Sequence, residues 1–310
     1  MSFWTNNPCS PSWSSFASAW WNKTPLQLLC ANPWAPTVKP IASLQLRKGR
    51  VEDARAIVEF WNRFYSTSAS SKCFFPADVF CRRLLKGVWE VYVVVHPDSG
   101  ELIGTITRRW IQSVQIGDAV LPRAGLVDYF CVHPAWRKKG VGNWLLTTLH
   151  HTGMRSPAPC PPHFFLWEGV NLRIPSFCTG FFYNKRGAAR GTLPTVSKDA
   201  FPAAWASIQA ECSIRAGGVP NEEDISVYPV KGAYVAIQNT FHRSIPDGAR
   251  IGVILGDPDA SLIETVLEEG GYGILLHTSY HQGWSMDSPY QWVAYNLQLN
   301  TLFGQFPCLL

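Results

Sequence analysis

The residues from Leu126 to Leu149 hold the chain's clearest chemical pattern. An apolar run, Leu126-Val127-Asp128-Tyr129-Phe130-Cys131-Val132, gives way to His133-Pro134 and then to Arg137-Lys138-Lys139-Gly140-Val141-Gly142. Trp144, Leu145 and Leu149 follow at helical spacing. The run reads as a buried strand and residues 140–153 as a helix. The first amides of a helix have no internal partner and sit at the positive end of its dipole. Glycines at 140 and 142 let a bulky anion such as a diphosphate approach that backbone, and Arg137, Lys138 and Lys139 add charge. A basic turn capping an ordinary helix would use the same residues. The strand before and the amphipathic helix after are what favour a site.

Other constellations point elsewhere. No Gly-x-Ser-x-Gly elbow is present, and Cys131 with His133 reads as packing rather than a nucleophile pair. His150-His151 has no carboxylate at metal-ligand spacing, so no metal is expected. Glu268-Glu269 reads as a solvated helix end, and neither a Walker loop nor a dinucleotide fingerprint occurs. The nine cysteines are odd in number and form no Cys-x-x-Cys pair. Reduced thiols and a cytoplasmic location are therefore expected.

A net charge of +5, from 27 Lys and Arg against 22 Asp and Glu, is too weak to argue for nucleic acid. Its placement says more. Arg47/Lys48/Arg50, Arg82/Arg83/Lys86, Arg108/Arg109 and the run 137–139 all lie in the first half, which suits a phosphorylated ligand. Only 16% of residues are charged while 13% are aromatic, which excludes a disordered polymer. No apolar run approaches the ~18 to 20 residues of a membrane span. The start lacks a basic stretch followed by an apolar one, so a soluble chain without a signal peptide is expected.

These residues need elements to hold them. Ala54, Ile57, Val58, Trp61, Phe64 and Tyr65 recur at helical spacing, which predicts a helix over 51–65. A second helix is expected over 76–86, with Pro76 in its first turn. Residues 91–95, Pro97-Asp98-Ser99-Gly100 and residues 102–113 read as strand, turn, strand. Strand 126–132 and helix 140–153 follow, then a Pro-rich loop over 153–162 and a strand over 164–167. Beyond them the pattern predicts a helix over 199–216, strands over 234–241 and 250–255, a helix over 259–269, and strands over 272–278 and 292–297. The later elements repeat the order of the earlier ones. The fold class is therefore α+β, two similar halves, with an aromatic arm over 1–45 and halves over 46–190 and 191–310.

Pro134 followed by Arg137-x-x-Gly140-x-Gly142 resembles the acyl-CoA loop of the GNAT superfamily of N-acyltransferases. A narrower resemblance is to the protein N-myristoyltransferases, which are two fused copies of that fold. It rests on Phe130-Cys131-Val132-His133 with Arg137-x-Lys139, on Ser2-Phe3-Trp4 with Pro8, and on Phe75-Pro76 through Leu84. Ile174-Pro175 through Tyr183-Asn184-Lys185-Arg186, Tyr295-Asn296 and the closing leucines add to it. The resemblance implies two pseudo-symmetric halves around a mixed, saddle-like sheet. It implies an enzyme that moves an acyl group from acyl-CoA (myristoyl-CoA or acetyl-CoA) to an amine such as the N-terminal glycine of a peptide or protein. Phe3 and Trp4 would fold over the CoA. Tyr129, Phe130, Cys131, Val132, Arg137, Lys138, Lys139, Gly140, Val141 and Gly142 would hold it. The family's loop usually carries a basic residue, then an apolar residue and Ala, where this chain has Gly140-Val141-Gly142. Asn184-Lys185 also departs from its aromatic-His-Arg. Acyl length and acceptor stay open, with an acetyltransferase of a small amine or a relative without turnover as alternatives.

The same resemblance assigns catalytic roles. The amides of Tyr129 and Phe130 match the positions that polarise the thioester carbonyl, which requires a bulge or splay freeing them from the sheet. The base would be the terminal carboxylate of Leu310. The apolar end Phe306-Pro307-Cys308-Leu309-Leu310 suits burial, with Asp128 as the reserve base.

Overall fold

The computed structural model describes residues 26–28, 40–65, 71–87, 89–116, 119–154, 161–168, 176–184, 191–212, 214–217, 220, 224–245, 248–256, 258–277, 290–295 and 297–299. Its strands are β1 (Gln45–Lys48), β2 (Trp89–Val95), β3 (Leu102–Ile116), β4 (Ala119–Val132), β5 (His163–Glu168) and β6 (Ser176–Asn184). Then come β7 (Ile225–Val230), β8 (Ala233–Ser244), β9 (Arg250–Leu255), β10 (Tyr272–His277) and β11 (Tyr290–Tyr295). The helices are α1 (Ala54–Phe64), α2 (Ala77–Leu85), α3 (Val141–Met154), α4 (Phe201–Ala210) and α5 (Ala260–Glu269).

These strands form one mixed sheet in the order β7-β8-β9-β10-β6-β11-β5-β4-β3-β2-β1. Two arrangements of the same kind sit in it. In each, three antiparallel strands lead to a helix and then to a strand parallel to the third. One is β2-β3-β4, α3, β5, with β4 parallel to β5. The other is β7-β8-β9, α5, β10, with β9 parallel to β10.

The chain interleaves where these arrangements meet. β6, which follows β5 in sequence, pairs with β10, whereas β11, which follows β10, pairs with β5. β6 and β11 then pair with each other at the centre. The sheet is thus continuous across residue 190, and each arrangement is closed by a strand from the other's stretch of chain.

α1 forms where the spacing predicts it, burying Ala54, Ile57, Val58, Phe60 and Trp61. Asp53 secures its start by accepting two hydrogen bonds from Arg47, at 2.6 and 2.8 Å, and one from the Arg50 amide. α3 lays Val141, Leu145 and Leu149 against Ile103 and Ile106. α4 packs Phe201, Trp205 and Ile208 against residues of both arrangements, from Val114 and Leu126 to Val227 and Val253.

Three departures have physical causes. α4 ends at Ala210 rather than 216, because residues 214–216 pair with the end of β3 instead. β4 begins at Ala119 rather than 126, since the antiparallel ladder with β3 continues through Pro122 to Ile116. β1, β6 and β7 lack the clean alternation that would reveal them in sequence. Among the described residues no helix is long and apolar enough to cross a membrane.

Candidate active site

The centre of the first arrangement is a bulge in β4. Thr105 pairs with Cys131 and Thr107 with Asp128, so Tyr129 and Phe130 together face Ile106. Tyr129 adopts φ +45°, a left-handed conformation that non-glycine residues avoid. Two threonine hydroxyls stabilise the kink. Thr107 Oγ1 donates to the Asp128 carbonyl at 2.7 Å and Thr105 Oγ1 to the Tyr129 carbonyl at 3.3 Å. Trp61 donates Nε1–H to Thr105 Oγ1 at 2.7 Å and stacks on the Tyr129 ring at 4.5 Å. Phe75 meets the same ring edge-on at 5.0 Å.

Beside the bulge the sheet opens. Parallel pairing of β4 with β5 covers Gly125, Leu126 and Val127 and stops there. Among the described residues, 128–132 have no partner strand on that side. A cleft of about 360 Å³ lies along this edge, lined by Phe64, Tyr65, Phe130, Cys131, Val132, Arg137, Lys138 and Gly142.

The turn from β4 to α3 is basic and exposed. Arg137 donates Nε–H back to the Val132 carbonyl at 3.2 Å, which ties the turn to the end of the strand. Lys138 has φ +62° and Gly140 φ +90°. The exposed run 137–140 thereby leads into α3, whose leading amides have no carbonyl of their own helix to bond. Gly142 could not be larger without cost, for a Cβ there would lie 2.8 Å from the Phe130 ring.

The expected residues thus divide. Phe130, Cys131, Val132, Arg137, Lys138 and Gly142 line one cleft. Gly140 and Lys139 are exposed, Lys139 lying 5.0 Å over the Trp136 ring. Val141 turns its side chain into the core, so its amide alone could meet a ligand. Tyr129 stands apart from the cleft lining. Its N–H donates to Asp128 Oδ1 at 2.7 Å, because the kink folds that carboxylate back onto it, and its ring is buried among Trp61, Phe75 and Trp89. Phe3, Trp4 and Leu310 lie outside the described residues.

Burial raises the Asp128 pKa, partly offset by the Tyr129 amide and by Arg109 and Arg83 nearby. Burial also pushes the thiols of Cys131 and Cys73 up to about 12, so neither is a thiolate at neutral pH. Among the described residues no cluster of His, Cys, Asp and Glu could hold a metal ion. Sequence reasoning missed Phe64 and Tyr65, whose signal was only their place at the end of an amphipathic helix. It also missed Thr105 and Thr107, which look like ordinary strand residues.

A mixed sheet with a bulged, splayed central strand, a basic glycine turn and a helix is the acyl-CoA N-acyltransferase fold. Residues 54–159 match the acetyltransferase (GNAT) family. Among solved structures it is similar to N-myristoyltransferase of Saccharomyces cerevisiae with bound myristoyl-CoA, with TM-score 0.59 and 10% identity over 84% of each chain. A putative acetyltransferase from Pyrococcus horikoshii aligns with TM-score 0.53 and 7% identity, over 88% of this chain and 97% of that one. At such identities it is the fold that is shared. No curated protein matches the chain in sequence.

Proposed function

We propose that the protein is an acyl-CoA-dependent N-acyltransferase whose acyl group is long-chain and whose acceptor is an amine at a peptide N-terminus. The observation that carries this reading is the open edge over 128–132 beside the basic start of α3, with a cleft between them. The diphosphate of CoA sits at the amides 138–142, where Arg137, Lys138 and Lys139 complement its charge. Phe3 and Trp4 close over it in the manner of the family's arm. The thioester carbonyl points at the Phe130 amide, the one of the two expected donors that Asp128 does not occupy.

Only a neutral amine has a lone pair to attack with, and an α-amino group has a pKa of about 7.7–8.0. A nearby base takes the ammonium proton, the amine adds to the thioester carbon, the C–S bond breaks, and CoA leaves as its thiol. The Leu310 carboxylate and Asp128 are the two candidates. Asp128 has the buried setting that raises a carboxyl toward neutral pH. Cys73, Cys81, Cys131 and Cys212 are free thiols, in keeping with action in the cytoplasm.

Thermal melting with CoA thioesters of graded length tests the reading, paired with thiol release in the presence of a glycyl peptide. The largest rise in Tm should come from a long chain, accompanied by thiol release. A largest rise with acetyl-CoA would make the protein a short-chain acetyltransferase. A rise without thiol release would make it a binding relative, and no rise with any thioester would overturn acyl-CoA binding itself.

A further inference from the structure

At the seam between the two arrangements lies a second cavity, of about 20 Å³, room for one water. Four charged side chains line it: Arg83 of α2, Arg109 of β3, Asp128 of β4, and Asp224, which directly precedes β7. Their formal charges cancel. Arg83 is enclosed by three aromatic rings, with its guanidinium 4.6 Å from the centre of Trp89, 5.0 Å from Phe75 and 5.3 Å from Phe241. Such a site excludes the water that would otherwise screen a charge.

The pairing within the cavity is uneven. Arg83 forms an ion pair with Asp224 Oδ1, and Arg109 Nη1 lies 4.0 Å from Asp224 Oδ2. Both guanidinium groups therefore converge on the carboxylate that comes from the second half of the sheet. Asp224 is itself anchored there, its carbonyl accepting from the Asn239 amide of β8 at 2.8 Å. Asp128, in the same cavity, accepts from the Tyr129 amide, and the two arginines act on it through charge alone, lowering its pKa less than burial raises it. The other titratable groups near it, the Cys73 thiol and the Tyr129 phenol, are both held protonated by burial and add no charge.

We infer that Asp224 is a positioning residue: by binding Arg83 and Arg109 it keeps both cations from pairing with Asp128, whose carboxyl stays free to exchange a proton. A cation within about 4–6 Å lowers a carboxyl pKa by roughly one to three units. With both arginines released onto it, Asp128 would be fixed as an anion and would be a weak proton acceptor. The second half, which lacks the basic turn, would thus set the proton chemistry of the first. The link to catalysis rests on the reading of Asp128 as the base of acyl transfer, whereas the link to its titration does not.

The test is an NMR titration of full-length protein carrying 13C-labelled aspartate, with the Asp128 carboxyl signal assigned by its loss in Asp128→Asn. In Asp224→Asn the Asp128 midpoint should fall by at least about one pH unit. Because that variant removes a negative charge from beside two buried cations, Arg83→Met/Asp224→Asn serves as its charge-balanced counterpart. Arg109 then has Asp128 as the remaining carboxylate of the cavity, so the midpoint should fall there too. An unchanged midpoint in whichever variant is folded overturns the inference. The acid limb of kcat/KM with a glycyl peptide should move with the titration in Asp224→Asn and vanish in Asp128→Asn. If the titration moves and the rate limb does not, Asp224 keeps its positioning role and Asp128 is not the base.

Discussion

Both arrangements run strand, turn, helix, parallel strand, yet they leave different lengths of strand beyond the parallel pairing. In the first, pairing of β4 with β5 stops at Val127, and the remaining edge faces a cleft. In the second, β9 pairs with β10 through Val253, and its last residues, Ile254 and Leu255, are buried at 0% and 2% exposure. The turns differ in charge. The first carries Arg137-Lys138-Lys139-Gly140 and the second Gly256-Asp257-Pro258-Asp259. A helix N-terminus favours acids and disfavours cations, by about 0.3–1 kcal/mol each at the surface. The acidic turn before α5 therefore supports its own helix. The basic turn before α3 opposes its own helix dipole, an imbalance that an anion bound there would relieve.

The sharpest way to break this contrast is to fill the first turn. Gly140 has φ +90°, and a Cβ on Gly142 would press on the Phe130 ring. Gly140→Val/Gly142→Leu should abolish stabilisation by acyl-CoA, about 2.7 kcal/mol at a hundredfold excess over Kd. Gly256→Ala, in the second turn at φ +83°, should destabilise the fold yet keep the ligand-induced rise in Tm. Melting curves with and without myristoyl-CoA decide it. A full rise in the double variant would place the ligand elsewhere.

Acid should also act unequally on the two regions. His150 and His163 lie buried near Arg108, whose Nη1 is 3.4 Å from His163 Nε2. Burial lowers the His150 pKa to about 4 and that of His163 well below its ordinary value. In the second region His242, also lowered to about 4 by burial, stands with its Nδ1 2.8 Å from the Thr240 carbonyl. Each histidine is neutral when folded and has a pKa of about 6.5 when unfolded. Between roughly pH 6.5 and 4 the unfolded chain binds more protons, so stability falls as pH falls, by up to about 1.4 kcal/mol per pH unit per histidine. Asp128, raised by burial, opposes this with one group. Guanidinium midpoints at pH 7, 6 and 5 should therefore drop steeply. His150→Gln/His163→Gln should flatten the drop more than His242→Gln does. Equal flattening would remove the asymmetry.

Much of the candidate site was legible in the sequence, because it is local. The run from Arg137 to Gly142 is contiguous, and Ile57, Val58 and Trp61 declare one face of α1 within three turns. What escaped depends on partners distant along the chain. Thr107 reads as one more strand residue until its hydroxyl meets the Asp128 carbonyl, and Asp224, after Glu222-Glu223, reads as solvated charge until Arg83 closes on it. The exchange of β6 and β11 is likewise invisible locally, since each pairs with strands from the other half. The hydrogen bond from the Tyr129 amide to the neighbouring Asp128 carboxylate is equally hidden, a rotamer choice that residue types do not encode.

The smallest expected effect separates two irregularities that look alike. β4 kinks at Tyr129, where Thr107 Oγ1 donates to the Asp128 carbonyl at 2.7 Å. β8 is irregular between Asn239 and His242, with Phe241 at φ +55°, and there Thr240 Oγ1 donates to the Ile251 carbonyl at 2.6 Å. Each hydroxyl satisfies a carbonyl beside an interrupted ladder, and a neutral hydrogen bond of this kind contributes about 0.5–1.5 kcal/mol net. Thr107→Val and Thr240→Val should thus each lower stability by about 1 kcal/mol, read as similar falls in guanidinium midpoint. Their effects on turnover should differ. Loosening the first kink displaces the Phe130 amide from the thioester, and a misplacement of about 1 Å can cost on the order of a hundredfold. The second irregularity holds no reacting atom. A tenfold or greater loss of kcat in Thr107→Val, with kcat kept in Thr240→Val, would tie the first kink to catalysis. Equal losses in both would show that the two irregularities serve the fold alike.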